Sequence, residues 1–353
     1  GLASLKGAVE VDPNFTQAEV LIILAHLRSK DWEAAIAAAD ALATKRPNEP
    51  LAFNLLGTAY AGKGDKDTGR KFFQQALTVS PDFTEAALNL AALDAQNGDM
   101  ELARDQYQKI LDKDPSSERA AIALAEILGR EGKRAEAVAL MEATRKNSPT
   151  GMQVRVGLMA EYLRTGQAAK ALAVAEEAEK LRPSDPGIQL GLAQAHALSN
   201  DLGPAQRILN ELKETQPKSA DVRFQLGLVL MRANDLLLAK ASLNEALERN
   251  PTHYGAELAL GDIAVNQERF DVALAIASKL LERSPKDPGG LVLRGDAHMR
   301  AKNFQGAVEA YTAGLELARS PQLILKLYGA TLAIKKPGEA RALLVDWLKE
   351  NPD

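Results

Sequence analysis

Residues 50–83 read PLAFNLLGTAYAGKGDKDTGRKFFQQALTVSPDF, and these 34 residues decide the fold. Phe53, Leu56, Gly57 and Tyr60 recur at spacings of three and four, the period of one face of an α-helix. Gly64 tolerates the left-handed backbone that ends a helix, and Asp65 is a residue type that caps the next one. Phe73 and Ala76 keep the helical spacing until Pro81, which has no N–H and turns its preceding residue away from helix. The segment reads as a helical hairpin.

Pro81 is one rung of a ladder. Pro13, Pro47, Pro81, Pro115, Pro149, Pro183, Pro217, Pro251 and Pro285 follow one another at a step of 34, taking nine of the sixteen prolines. With the ladder proline at repeat position 32, repeats run 16–49, 50–83, 84–117, 118–151, 152–185, 186–219, 220–253, 254–287, 288–320 and 321–353. The last two are one residue short, and Pro352 returns to register. Position 20 is Ala35, Ala103, Ala137, Ala171, Ala205, Ala239, Ala273, Ala307 and Ala340, with Gly69 the single exception. Position 8 is small in seven repeats of ten, and position 7 is Leu or Ile in nine, Arg294 being the outlier. Small residues at two fixed points let two helices approach closely.

The turn between the helices holds Gly64, Gly98, Gly132, Gly166, Asn200 or Asn234, and Asp31, Asp65, Asp99, Asp201 and Asp235 follow as expected caps. Residues 1–15 fall where the second half of an earlier repeat belongs. A second helix is therefore expected over 2–11, and the chain reads as a piece of a longer repeat protein. Alternating strand patterns are absent, so the expected class is all-α, an α-α superhelix of about ten helix-turn-helix repeats in one solenoid.

Composition narrows the function. The 353 residues carry 43 Lys and Arg against 47 Asp and Glu, a net charge of −4, and no cysteine. Disulfides, thiolate metal sites and cysteine nucleophiles are excluded. The slight acidity offers no general attraction to nucleic acid, which is not expected as a partner. No uncharged apolar run approaches the roughly 18 residues of a membrane span, so these residues are expected to make no membrane contact.

Motifs that carry chemistry reduce to coincidences of the repeat. Residues 57–63 (GTAYAGK) satisfy the first seven places of a phosphate-binding loop, but Gly64 stands where Ser or Thr is needed, and the stretch lies inside a first helix. His26, His196 and His298 share position 11 in well-separated repeats, too far apart for one metal ion, and His253 falls in an inter-repeat turn. Asn14-Phe15-Thr16 matches a glycosylation sequon, a pattern of high false-positive rate. The expectation is no catalytic residue, no cofactor, no metal and no enzymatic activity.

Repeat 50–83, with Phe53, Leu56, Gly57, Tyr60, Phe73, Ala76 and Pro81, resembles the tetratricopeptide repeat, and ten copies in one register extend the resemblance along the whole chain. It implies a right-handed superhelix with first helices on the concave face. The carboxylate clamp of some members needs Lys and Asn at positions 5, 9 and 6; here Asn54 and Asn89 are present, but Thr58, Leu88 and Ile122 stand where basic residues are required. The segments 50–65, 83–104, 284–321 and 335–353 also resemble the tetratricopeptide lipoproteins of PEP-CTERM/exosortase exopolysaccharide systems in Gram-negative bacteria. That resemblance implies a lipidated N-terminus, a periplasmic, outer-membrane-anchored location and an assembly or export role. If it fails, a cytoplasmic location is expected.

The first-helix surface is where a partner would bind. Position 13 is Arg28, Arg130, Arg164, Arg232 and Arg300, position 5 is aliphatic or Phe in nine repeats, and position 9 varies. Arginine near a helix C-terminus also favours the macrodipole, a structural explanation for each one. The functional reading is a groove holding a protein or peptide segment with acidic groups, lined by Arg28, Arg130, Arg164, Phe224, Leu228, Met231, Arg232, Asp262, Asp296, Met299 and Arg300. The expectation is a monomeric, noncatalytic scaffold for a protein of a secretion apparatus; the alternative is a targeting module of a larger enzyme such as a glycosyltransferase.

Overall fold

The computed structural model describes residues 1–12 and 15–351, without the side chains of residues 2, 6 and 8–10. Pro13, Pro352 and Asn14 of the sequon lie outside the described residues. The chain divides into two units, Gly1–Thr165 and Gly166–Asp353.

The first unit contains α1 (Leu2–Val11), α2 (Thr16–Arg28), α3 (Trp32–Lys45), α4 (Pro50–Lys63), α5 (Lys66–Val79), α6 (Thr84–Asn97), α7 (Met100–Lys113), α8 (Glu118–Arg130), α9 (Arg134–Asn147) and α10 (Gln153–Arg164). The second contains α11 (Ala168–Leu181), α12 (Pro186–Leu198), α13 (Leu202–Thr215), α14 (Ala220–Arg232), α15 (Leu236–Arg249), α16 (Tyr254–Asn266), α17 (Phe270–Arg283), α18 (Gly289–Arg300), α19 (Phe304–Leu317), α20 (Pro321–Ala333) and α21 (Pro337–Glu350). Helices are the only regular elements among the described residues, and each unit stacks helical hairpins, with α1 and α10 of the first unit and α11 of the second outside any hairpin of their unit. Eight of the ten first helices begin at the first residue of an expected repeat; α10 and α18 begin one residue later. The stretch resembling a phosphate-binding loop is helical within α4, with Gly64 as its C-cap.

The hairpin turns follow the expected chemistry and exceed it. Gly64, Gly98, Gly132, Gly166, Asn200 and Asn234 have φ between 60° and 101°. Lys30, Glu268, Lys302 and Lys335 occupy the same turn position at φ of 58° to 62°, so the geometry is imposed even where the side chain disfavours it. Second helices end two residues before each ladder proline. The intervening residue is pulled out of helix, as at Ser80 (φ −140°, ψ 100°) and Asn250 (φ −137°, ψ 92°). Of the five aspartates expected as caps, Asp31, Asp65 and Asp235 accept from a backbone N–H three residues on. Asp99 and Asp201 do not cap; Asp99 lies 3.8 Å from Arg70 and Asp201 is 3.1 Å from His196.

Position 20 is the inner contact. All nine of its alanines are buried, eight of them with no exposure. In three hairpins a glycine at position 8 yields its volume to a large residue at position 24, whereas Gly261 faces Leu293 of the next first helix instead. A Cβ on Gly57 would come within 2.5 Å of the Phe73 ring, one on Gly227 within 2.7 Å of Leu243, and one on Gly295 would strike Tyr311. Repeat one inverts the pair, with Ile23 opposite Ala39, both fully buried in one cluster.

Gly69, the exception at position 20, marks the tightest approach. A Cβ there would sit 3.0 Å from the Gly57 carbonyl oxygen and 3.1 Å from Ala61. Gly69→Ala is therefore expected to destabilise the first unit by about 1–3 kcal/mol, although alanine fits this position elsewhere. Urea denaturation with hydrogen exchange of α4 and α5 reads the effect; unchanged protection would contradict the close approach.

Candidate functional site

Within each unit the first helices form the crowded inner face. In the first unit α2 touches α4, α4 touches α6, α6 touches α8 and α8 touches α10; in the second, α12, α14, α16 and α18 touch in succession. Successive second helices do not pack comparably among the described residues. The expected binding residues therefore belong to faces that bring neighbouring repeats together.

In the first unit a chain of polar contacts crosses three first helices. Asn89 Nδ2 donates to Asn54 Oδ1 at 2.9 Å, and Arg119 Nη2 donates to Asn89 Oδ1 at 3.3 Å. The two asparagines that resembled parts of a carboxylate clamp thus bond each other. Further along, a groove of about 710 Å³ opens between α8 and α10 above α9. Ile122, Val138 and Met141 line it with Arg130, Arg134, Arg164, Glu126 and Glu161. Gly157 permits the close approach at its base, since a Cβ would lie 3.3 Å from Ile122 and Met141. Arg130 and Arg164 are both exposed at this groove, but Arg164 is engaged by Glu161, its Nε 2.9 Å and its Nη2 2.5 Å from the carboxylate. Arg28 lies exposed at the end of α2.

In the second unit the apolar members of the expected set are half-buried. Phe224 lies 4.7 Å from the His253 ring, whose Nδ1 accepts from the Ala256 N–H and whose Nε2 is 3.1 Å from Asp221. Leu228, Met231 and Met299 each keep part of their surface open. Arg232 donates to the Ala197 carbonyl in the last turn of α12 at 2.7 Å and so caps the preceding first helix, although, like Arg300, it is exposed. The arginines expected at position 13 thus differ, Arg164 and Arg232 being engaged within the fold and the others open to solvent.

Charge gathers instead at position 9. Asp296 Oδ1 accepts from Tyr311 Oη at 2.6 Å and from Lys326 Nζ at 2.5 Å. Asp262, one repeat earlier and half-buried, receives no donor among the described residues. Burial, and then the nearby Asp296 charge, push its carboxyl up to about 6, with Lys326 opposing. Burial and the bond to Asp296 likewise push the Tyr311 phenol up, so it remains a donor. The pairing of Asp262 with Asp296 was readable from their shared register position. Lys326 and Tyr311 were missed because they stand at other positions on α20 and α19.

The position-11 histidines stay within their own hairpins. His26 is 3.3 Å from Asp31, His196 is 3.1 Å from Asp201 and His298 is 3.2 Å from Asn303. Among the described residues no helix is long and apolar enough to cross a membrane.

Profiles described as tetratricopeptide repeat match residues 1–50, 54–118, 224–288 and 258–324, and a second profile of the same description matches 162–225. The first alone covers more than half of the chain. No curated protein matches. Among solved structures, the C-terminal part of a TPR repeat-containing protein from Cytophaga hutchinsonii is similar at 19% identity and a TM-score of 0.53, covering 67% of this chain and 98% of that one. Yeast Tom70 is similar at 12% identity and a TM-score of 0.46, covering 99% of this chain and 93% of that one. The first of these likenesses bears on the fold alone.

Asp262 gives the inner face a measurable signature. Its folded carboxyl titrates near 6 instead of the ordinary value of about 3.9, so protonation is favoured by folding. The resulting stability is fully present below about pH 4 and is lost as pH rises through about 6. Asp262→Asn removes this loss. It should stabilise the chain by about 1–2 kcal/mol at pH 7.5, with the difference vanishing at pH 4, as read by urea denaturation across pH.

Proposed function

Because the chain belongs to the tetratricopeptide repeat family, we propose that it is a noncatalytic scaffold holding a segment of another protein on the first-helix face of its repeats. The observation that carries this reading is the incomplete burial of apolar side chains on that face. Leu325 and Val156, both at position 5, are 58% and 43% exposed, and Phe224, Leu228 and Leu258 are only half-buried. A hairpin core needs none of this exposed surface, and covering a side chain of that size contributes roughly 1.5–3 kcal/mol. Two or three such anchors, less the cost of ordering the partner, suit a micromolar interaction.

Within that role we propose a part in bacterial exopolysaccharide assembly or export, in the PEP-CTERM/exosortase lipoprotein group. The protein would act in the periplasm, anchored at the outer membrane through a lipidated leader. The support is the resemblance of segments 50–65, 83–104, 284–321 and 335–353 to that group.

Photo-crosslinking in the native organism tests both levels. A photoreactive residue replacing Leu258 on the first-helix face is expected to label a defined protein, one belonging to a polysaccharide export apparatus. A control replacing Leu237, 81% exposed on second helix α15, should not label it. Labelling through Leu237 alone would overturn the first-helix site. Labelling through Leu258 of a protein outside any export apparatus would overturn the finer role.

A further inference from the structure

The two carboxylates at position 9 of the second unit share one cation. Lys326 Nζ and Tyr311 Oη both bond Asp296, which is thereby satisfied. Asp262 is half-buried on the neighbouring first helix, with no donor among the described residues. The cluster of two carboxylates and one ammonium thus carries one uncompensated negative charge. Removing a carboxylate from water without a partner costs stability, and a donor brought from outside restores the lost solvation.

Apolar surface adjoins that charge. Leu258 lies four residues before Asp262 on α16, and Val292 lies four residues before Asp296 on α18, so each sits one turn from its carboxylate. Leu228 occupies position 9 on α14, which packs against α16. All three are half-buried. A helix or extended segment crossing these first helices would meet an apolar strip with a single anionic point at its centre.

We propose that the second unit's first-helix face takes a partner segment that lays apolar side chains along Leu228, Leu258 and Val292 and sets one lysine or arginine against Asp262. The inference rests on the scaffold reading above and specifies the chemistry of its partner. It reverses the acidic partner expected from the arginines at position 13: Arg232 is turned to the Ala197 carbonyl, and the cluster nearest the apolar strip is anionic. A guanidinium or ammonium is favoured here by charge complementarity, which also rejects acidic competitors by placing like charges together.

Selection of random dodecapeptides displayed on phage against the full chain tests this. Enriched peptides should carry Lys or Arg flanked by apolar residues. Synthetic copies, followed by fluorescence anisotropy, should bind Asp262→Asn about tenfold more weakly and lose affinity similarly when the cation is replaced by norleucine. Asp262→Asn is expected to be the more stable protein at neutral pH, so weaker binding cannot be ascribed to unfolding. Peptides that lose binding to Leu258→Ser but are acidic, or are indifferent to Asp262→Asn, would overturn the cationic inference and leave the scaffold reading standing. Failure of every peptide to depend on Leu258 or Asp262 would overturn both.

Discussion

In α4–α5, α14–α15 and α18–α19 the contact between repeat positions 8 and 24 sets the distance between the two helices of the hairpin, and the packing around them depends on that distance. Helix backbones can approach only where one side chain yields volume to the other. Gly57 yields to Phe73, Gly227 to Leu243 and Gly295 to Tyr311, while Ile23 fills the space that Ala39 leaves. Position 20 adds a fixed small residue to the same seam, buried in every repeat where it is alanine. Once that spacing is held, the leucine at position 7 is buried within its own repeat, as at Leu56, Leu158 and Leu226. Each hairpin is thereby a closed packing unit that needs only its neighbours to complete its core.

Most of this was legible because the interactions that build a hairpin are local and recur. The 34-residue proline step located the helix ends, and the turn glycines and asparagines adopted the left-handed backbone their chemistry permits. The turn at Glu268 and at Lys302 was less legible: there the packing of two helices overrides a preference that no side chain advertises. Asp99 and Asp201 were legible as cap residues but took other partners, Arg70 and His196, which compete for the same carboxylate. The size inversion at Ile23 breaks a positional rule that considers one position at a time. It becomes intelligible only as a pair with Ala39, sixteen residues away across the seam.

The candidate site was legible in part, and for a related reason. Register placed Asp262 and Asp296 at one position of successive repeats, and the helical period placed Phe224 and Leu228 on the same face. Which charges are spent within the fold is not a periodic property. Arg164 is held by Glu161, Arg232 by a backbone carbonyl and Asp296 by Lys326 and Tyr311, through partners at four different register positions. Composition and spacing count these groups as equivalent; only their neighbours separate a structural arginine from an exposed one. Arg130, Arg232 and Arg300 are all exposed, but Arg232 is tied to the Ala197 carbonyl.

A division of labour follows from the seam. The side chains that hold a hairpin together point from each first helix toward its second helix, and the opposite surface of the first helix is packed less completely, leaving residues such as Leu258 and Asp262 half-buried. Changes there alter solvation and charge without altering the spacing at positions 8, 20 and 24. This is why a half-buried carboxylate such as Asp262 can persist at a cost to stability: the cost is local, and it does not propagate through a stack whose cooperativity runs between neighbouring repeats. In the proposed complex, a partner's cation set against Asp262 offsets that local cost when the inner face is covered.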